Sequence, residues 1–180
     1  MSSARVWLFR TLVMVATGLM FLSWFMPWWT ARVPIMGTDP LLLMYPYGLK
    51  HFVPASLIPY FEESIPPFWL TIVAFVFIVA DIAALLFSLF LKGKWGKLLL
   101  GGAGLGYIGF SAIAMIYAWI SVSSQGLAFI GSSPIPFIFH TPTMVATLEP
   151  WFFIAQGVGL LCIALALLRD RITGKPKLSA

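Results

Sequence analysis

Charge is what this 180-residue sequence lacks most. Asp, Glu, Lys and Arg make up 9% of it, against 61% hydrophobic residues. A water-soluble domain carries about 25% charged residues, and a coat of that polarity cannot be assembled from this composition. The chain is therefore solvated by lipid or by other proteins. Cysteine is scarcer still: Cys162 stands alone, which excludes an intramolecular disulfide, a CxxC redox pair and a cysteine-ligated zinc site. Histidine occurs twice, at His51 and His140, outside the apolar runs and in neither an HxH nor an HxxxH pair. A haem held between membrane helices by two histidines is therefore not expected. GxSxG, P-loop and dinucleotide fingerprints are missing too. The glycines of GGAGLGYIG (101–109) sit in an apolar run with no strand before it, where a nucleotide loop does not belong.

What the sequence does have is long apolar runs. A helix crossing a bilayer core needs about 20 apolar residues, and the runs at 6–29, 68–91, 98–122 and 151–168 qualify. The first follows Arg5 and Arg10 as a signal peptide would. It is too long for one and ends in FMPWWTAR, without a small-x-small cleavage site, so it reads as an uncleaved span. Threaded through a membrane four times, the chain collects Arg5, Arg10, Lys92, Lys94, Lys97, Arg169, Arg171, Lys175 and Lys177 on one side. Only Arg32 and Lys50 fall on the other. The positive-inside rule then predicts cytoplasmic termini. The net charge of +5 reads as topology control, with no nucleic-acid partner; anionic lipid headgroups are a second reading of the basic tail, 169–180. Trp28, Trp29, Trp69, Trp119 and Trp151 are expected at the outer interface, and Trp7 and Trp95 at the inner one.

Two outer loops result, about 30–67 and 123–150. Segments of that length are functional or disordered, and disorder requires low hydrophobicity. These are apolar, so order is expected. Pro34, Pro40, Pro46, Pro54, Pro59, Pro66 and Pro67 forbid one continuous helix in the first loop. Short helical pieces, such as 39–44 and 55–62, would lie flat in the headgroup plane. The second loop repeats the theme in GSSPIPFIFHTPTM. Together the loops would form an apolar cap resting on lipid, on the chain's own helices or on a partner.

In the third run, Gly102, Gly106 and Gly109 form a small-residue stripe that admits a close helix neighbour. Ala155, Gly157 and Gly159 do the same in the fourth. Asp81 falls near the middle of the second run, where a carboxyl costs about 2.5–3.5 kcal/mol on insertion scales and turns to the bundle interior. Thr17, Tyr107, Ser111 and Gln156 reach similar depths at 1.5 Å per residue. One buried polar layer is expected, with a protonated Asp81 donating to Gln156 or to a backbone carbonyl. Its structural reading is a hydrogen bond that fixes helix register, and its functional reading is a proton or ion site. His51, His140 and Glu149 share the outer side as candidate metal ligands, imidazole and carboxylate suiting copper, zinc or iron. Their spacing has no motif character, and hydrogen bonds within the cap are the alternative.

Four spans, internal termini and a larger first outer loop resemble the claudin-like tetraspan layout, with PWW where such proteins place tryptophans. The GLW and paired cysteines that define that family's loop are absent here, and no function is carried over.

The expectation is an all-α integral membrane protein of the cytoplasmic (plasma) membrane. A single four-span domain over 1–180 would form an antiparallel four-helix bundle. It would serve as a non-catalytic accessory subunit of a larger membrane complex, with other integral membrane subunits and lipids as partners. No cofactor is predicted; a lipid or quinone-like ligand would fit an apolar pocket beside the bundle. The alternatives are a small proton-coupled transporter or channel centred on Asp81, and an enzyme-complex subunit with an outer-face metal or apolar pocket.

Overall fold

A computed structural model describes residues 3–37, 39–52, 68–91, 93–135 and 142–173, apart from the side chains of Ser3, Met36 and His51. Most of these residues are helical. The α-helices α1 (Ser3–Trp24), α2 (Phe68–Ser88), α3 (Lys94–Ser124) and α4 (Pro150–Thr173) are each long and apolar enough to cross a membrane. At 31 residues, α3 extends about 46 Å, longer than the roughly 30 Å of a hydrocarbon core.

The chain divides into two compact units. The first holds the described parts of Met1–Ser23, Val76–Phe110 and Ile154–Ala180. Its buried residues recur every three or four positions: Phe9, Val13, Ala16 and Met20 on α1; Ile78, Asp81, Leu85 and Ser88 on α2; Leu100, Ala103 and Tyr107 on α3; Ala155, Val158, Cys162 and Leu165 on α4. That period gives each helix one inward stripe. α2 turns into α3 through Gly93, whose φ of 69° is a left-handed conformation that glycine adopts without penalty. Near that turn Lys97 pairs with Asp170. Arg169 donates from Nη2 to the Leu91 carbonyl at 2.6 Å, and its guanidinium lies 5.4 Å from the Phe9 ring centre. A β-carbon on Gly96 would collide with this guanidinium.

The second unit holds the described parts of Trp24–Phe75 and Ser111–Phe153. Its centre is a five-stranded sheet in the order β3-β2-β1-β5-β4, antiparallel at every pairing. The strands are β1 (Trp29–Arg32), β2 (Leu42–Tyr45), β3 (Gly48–His51), β4 (Gly131–Pro134) and β5 (Thr143–Leu148). A short 3-10 helix, Pro34–Met36, follows β1. β1 sits in the middle, with Thr30 opposite Leu43 on one side and Thr147 on the other. Prolines occupy positions that need no backbone donor: Pro46 lies in the β2–β3 turn, Pro134 ends edge strand β4, and Pro150 opens α4.

The sheet corrects the all-α expectation. Residues 39–44, read as a helical piece, contain a bend and the start of β2; the piece at 55–62 lies outside the described residues. Apolar, proline-marked segments satisfy their backbone groups by pairing with one another, which individual short helices need not do. The first apolar run is also shorter as a helix than as a run. α1 stops at Trp24, and Trp28 and Trp29 are buried in the second unit at 0% and 1% exposure, not set as interfacial anchors. Trp7, Trp69, Trp95 and Trp119 are exposed, as residues facing lipid or headgroups would be.

Candidate functional site

Asp81 carries the chemistry of the first unit. The buried positions of α2 place it one turn from Ile78 and Leu85, and 9% of its surface is exposed. Its Oδ1 lies 3.5 Å from where a β-carbon on Gly106 would sit, beside the Phe77 ring. An alanine methyl at Gly106 would therefore stand in van der Waals contact with the carboxyl. Oδ2 is buried and has no hydrogen-bond partner among the described residues. The Tyr107 hydroxyl and the Cys162 thiol lie within its electrostatic reach.

Tyr107 and Thr17, expected in the same polar layer, each make hydrogen bonds. Tyr107 shares a 2.7 Å hydrogen bond with Ser23 Oγ and points at the Met20 carbonyl, 3.3 Å away. Thr17 donates to its own helix at the Val13 carbonyl. Gln156 is half-buried and Ser111, in the second unit, is buried; each has an interaction of its own. Sequence reasoning missed Ser23, whose one signal was a hydroxyl inside the apolar run FLSWF.

The glycines divide into two sets. Gly104 and Gly159 bring α3 and α4 together, each carbonyl standing within 3 Å of the other's would-be β-carbon. Among the described residues, Gly102, Gly109 and Gly157 have nothing within 4 Å of theirs. Gly102 and Gly109 lie on a stripe of α3 with Leu105, Ala112, Ile113 and Ile116, all exposed except the half-exposed Gly109. Ala155 is buried. Gly104, which makes the closest backbone approach, stood in plain view among five glycines between 101 and 109. Periodicity alone did not say which of them faced α4.

In the second unit, the Trp29 indole donates to the Phe129 carbonyl at 2.6 Å and stacks on the Phe129 ring, 5.5 Å between centroids. Trp24 meets Trp28 and Phe75 edge-on. Tyr47 lies between Tyr45 and Phe75; burial pushes its hydroxyl above the ordinary tyrosine value, and Tyr45 adds to the shift. Glu149 accepts a 2.6 Å hydrogen bond from Thr30, with Arg32 at 3.9 Å. These are bonds that tie a loop to the central strand. His140 and the His51 side chain lie outside the described residues. Among the described residues no three His, Cys, Asp or Glu side chains converge as a metal site would require.

No protein-family model, curated protein or solved structure matches this chain.

Proposed function

We propose that this chain is a multi-pass membrane subunit without catalysis of its own, packing side by side with a larger integral membrane partner. The carrying observation is the open face of α3. Among the described residues Gly102 and Gly109 have no close neighbour, while Gly104 and Gly159 are consumed by the internal α3–α4 seam. Glycine in a helix interior costs about 1 kcal/mol relative to alanine, and a bare backbone stripe recovers that cost only when another helix lies against it. α2 adds support: it is the most apolar of the four helices and the least covered, with 22% of its most apolar window buried. In this reading the bundle is antiparallel, both termini are cytoplasmic, and the sheet stands on the outer side of a plasma or cytoplasmic membrane. Lipid or a quinone-like molecule would fill what the partner leaves open.

The test is extraction in mild detergent. A stoichiometric complex is expected for the natural chain, and its loss for Gly102→Leu or Gly109→Leu variants whose isolated fold is unchanged. A monodisperse lone bundle that moves a solute across vesicles would overturn the proposal.

A further inference from the structure

We propose that Asp81, seated on Gly106, is an exchangeable proton-binding site in the interior of the first unit, and that losing its proton loosens α2 from α3. This goes beyond lateral packing and does not depend on a partner. Ser23, Thr30, Ser88 and Ser133, also buried, each make a hydrogen bond, whereas Asp81 Oδ2 makes none among the described residues. A bare carboxylate at such a place is strongly disfavoured by lost hydration, so an occupant must neutralise it.

The surroundings select the occupant. From α3 the nearby titratable group is Tyr107, and from α4 it is Cys162. Both are neutral weak acids that offer no positive charge. The buried face of α1 presents Phe9, Val13, Ala16, Met20 and Ser23, none of which carries charge. Of the described basic side chains in these segments, Lys97 holds Asp170 and Arg169 holds the Leu91 carbonyl, while Arg5, Arg10, Lys94 and Arg171 are exposed. A metal cation needs several oxygen ligands, and beside Oδ1 lie the Gly106 backbone and the Phe77 ring. A proton needs one oxygen and no room. On release, the Asp81 O–H bond breaks and its electron pair stays on the carboxylate. The proton passes to a water molecule or hydroxide ion that enters as α2 moves off Gly106.

The experiment is infrared spectroscopy of the full chain in lipid nanodiscs across pH, in H2O and D2O, comparing the natural chain with Asp81→Asn. The expected result is a carboxylic-acid carbonyl band at neutral pH that is missing in the variant, shifts in D2O and disappears reversibly in alkali. No such band at neutral pH overturns the proposal, because Asp81 would then be ionised. A band indifferent to D2O and to pH while the helices stay folded also overturns it, because the proton would then be locked. Should Asp81→Asn fail to fold, Gly106→Ala keeps the carboxyl and sets a methyl against it. That change should alter the proton affinity by about tenfold, one pH unit in the midpoint, while Gly102→Ala leaves it in place. Identical midpoints in both alanine variants would remove the seat from the proposal and overturn it.

Discussion

The Gly159 carbonyl oxygen lies 2.6 Å from where a β-carbon on Gly104 would sit, and the Gly104 carbonyl lies 2.9 Å from the corresponding point on Gly159. The α3 and α4 backbones touch there. A methyl at either position forces the helices apart, so Gly104→Ala and Gly159→Ala should each lose about 1–3 kcal/mol of stability. Gly102→Ala, with open space around it, should be neutral or gain up to about 1 kcal/mol in helix propensity. Thermal unfolding in detergent reads the ranking; equal losses at 102 and 104 would place the seam elsewhere.

Trp29→Phe separates two parts of one contact. The stack on Phe129 survives the change, but the indole N–H that reaches the Phe129 carbonyl does not. The unpaired carbonyl should cost about 1–3 kcal/mol. Trp69→Phe, at an exposed position, should cost little in the same unfolding assay.

Around Glu149 the order of losses is diagnostic. Thr30→Val removes the 2.6 Å hydrogen bond to a carboxylate from a residue only 2% exposed, at about 1–3 kcal/mol. Arg32→Ala removes a 3.9 Å ion pair whose arginine side chain is 50% exposed, at about 0–1 kcal/mol. The reverse order, measured by denaturant titration, would show that the ion pair anchors the loop.

Alkali should weaken the second unit through Tyr47. Its hydroxyl is held above the ordinary tyrosine value by burial first and Tyr45 second. The folded state thus keeps a proton that the unfolded state releases. That contribution to stability is whole below about pH 10 and declines as pH rises through the folded value. Tyr47→Phe should flatten this part of the stability–pH curve; an unchanged slope would refute the assignment.

Cys162 is a free thiol with no accessible surface. Labelling by a water-soluble maleimide should be negligible in the folded chain and complete after denaturation. Rapid labelling of the native protein would mean that water already reaches the face of α4 near Asp81.

The helices were legible because apolar length is a direct signature of a membrane-crossing segment. The inward position of Asp81 was legible because a carboxyl has no place facing lipid. The sheet was harder to see. TMVATL (143–148) does show the alternation of a strand, with Met144 and Ala146 buried and Thr143 and Thr147 exposed. Pro46 and Gly48 do punctuate LLMYPYGLKH as a hairpin. Both signals are short and lie among apolar residues that gave no polar contrast. The partner of β1 is also far away: Thr30 pairs with Thr147, a relation that local periodicity cannot carry. Trp28 and Trp29 illustrate the same limit, since an aromatic at the end of an apolar run suits an interface and a core equally well.

That distance sets an order of events during synthesis. Strands β1 to β3 can pair as soon as they are translated, but the free side of β1 finds β5 only 117 residues later, counted from Thr30 to Thr147. At about 5–20 residues per second, the edge stays uncovered for on the order of ten seconds. The nascent chain thus passes through a stage in which its central strand is an outer one, open to capture by any extended peptide nearby. Truncation before residue 143 would fix the molecule at that stage. Such fragments should aggregate or recruit chaperones, even though three of the four apolar helices are already made.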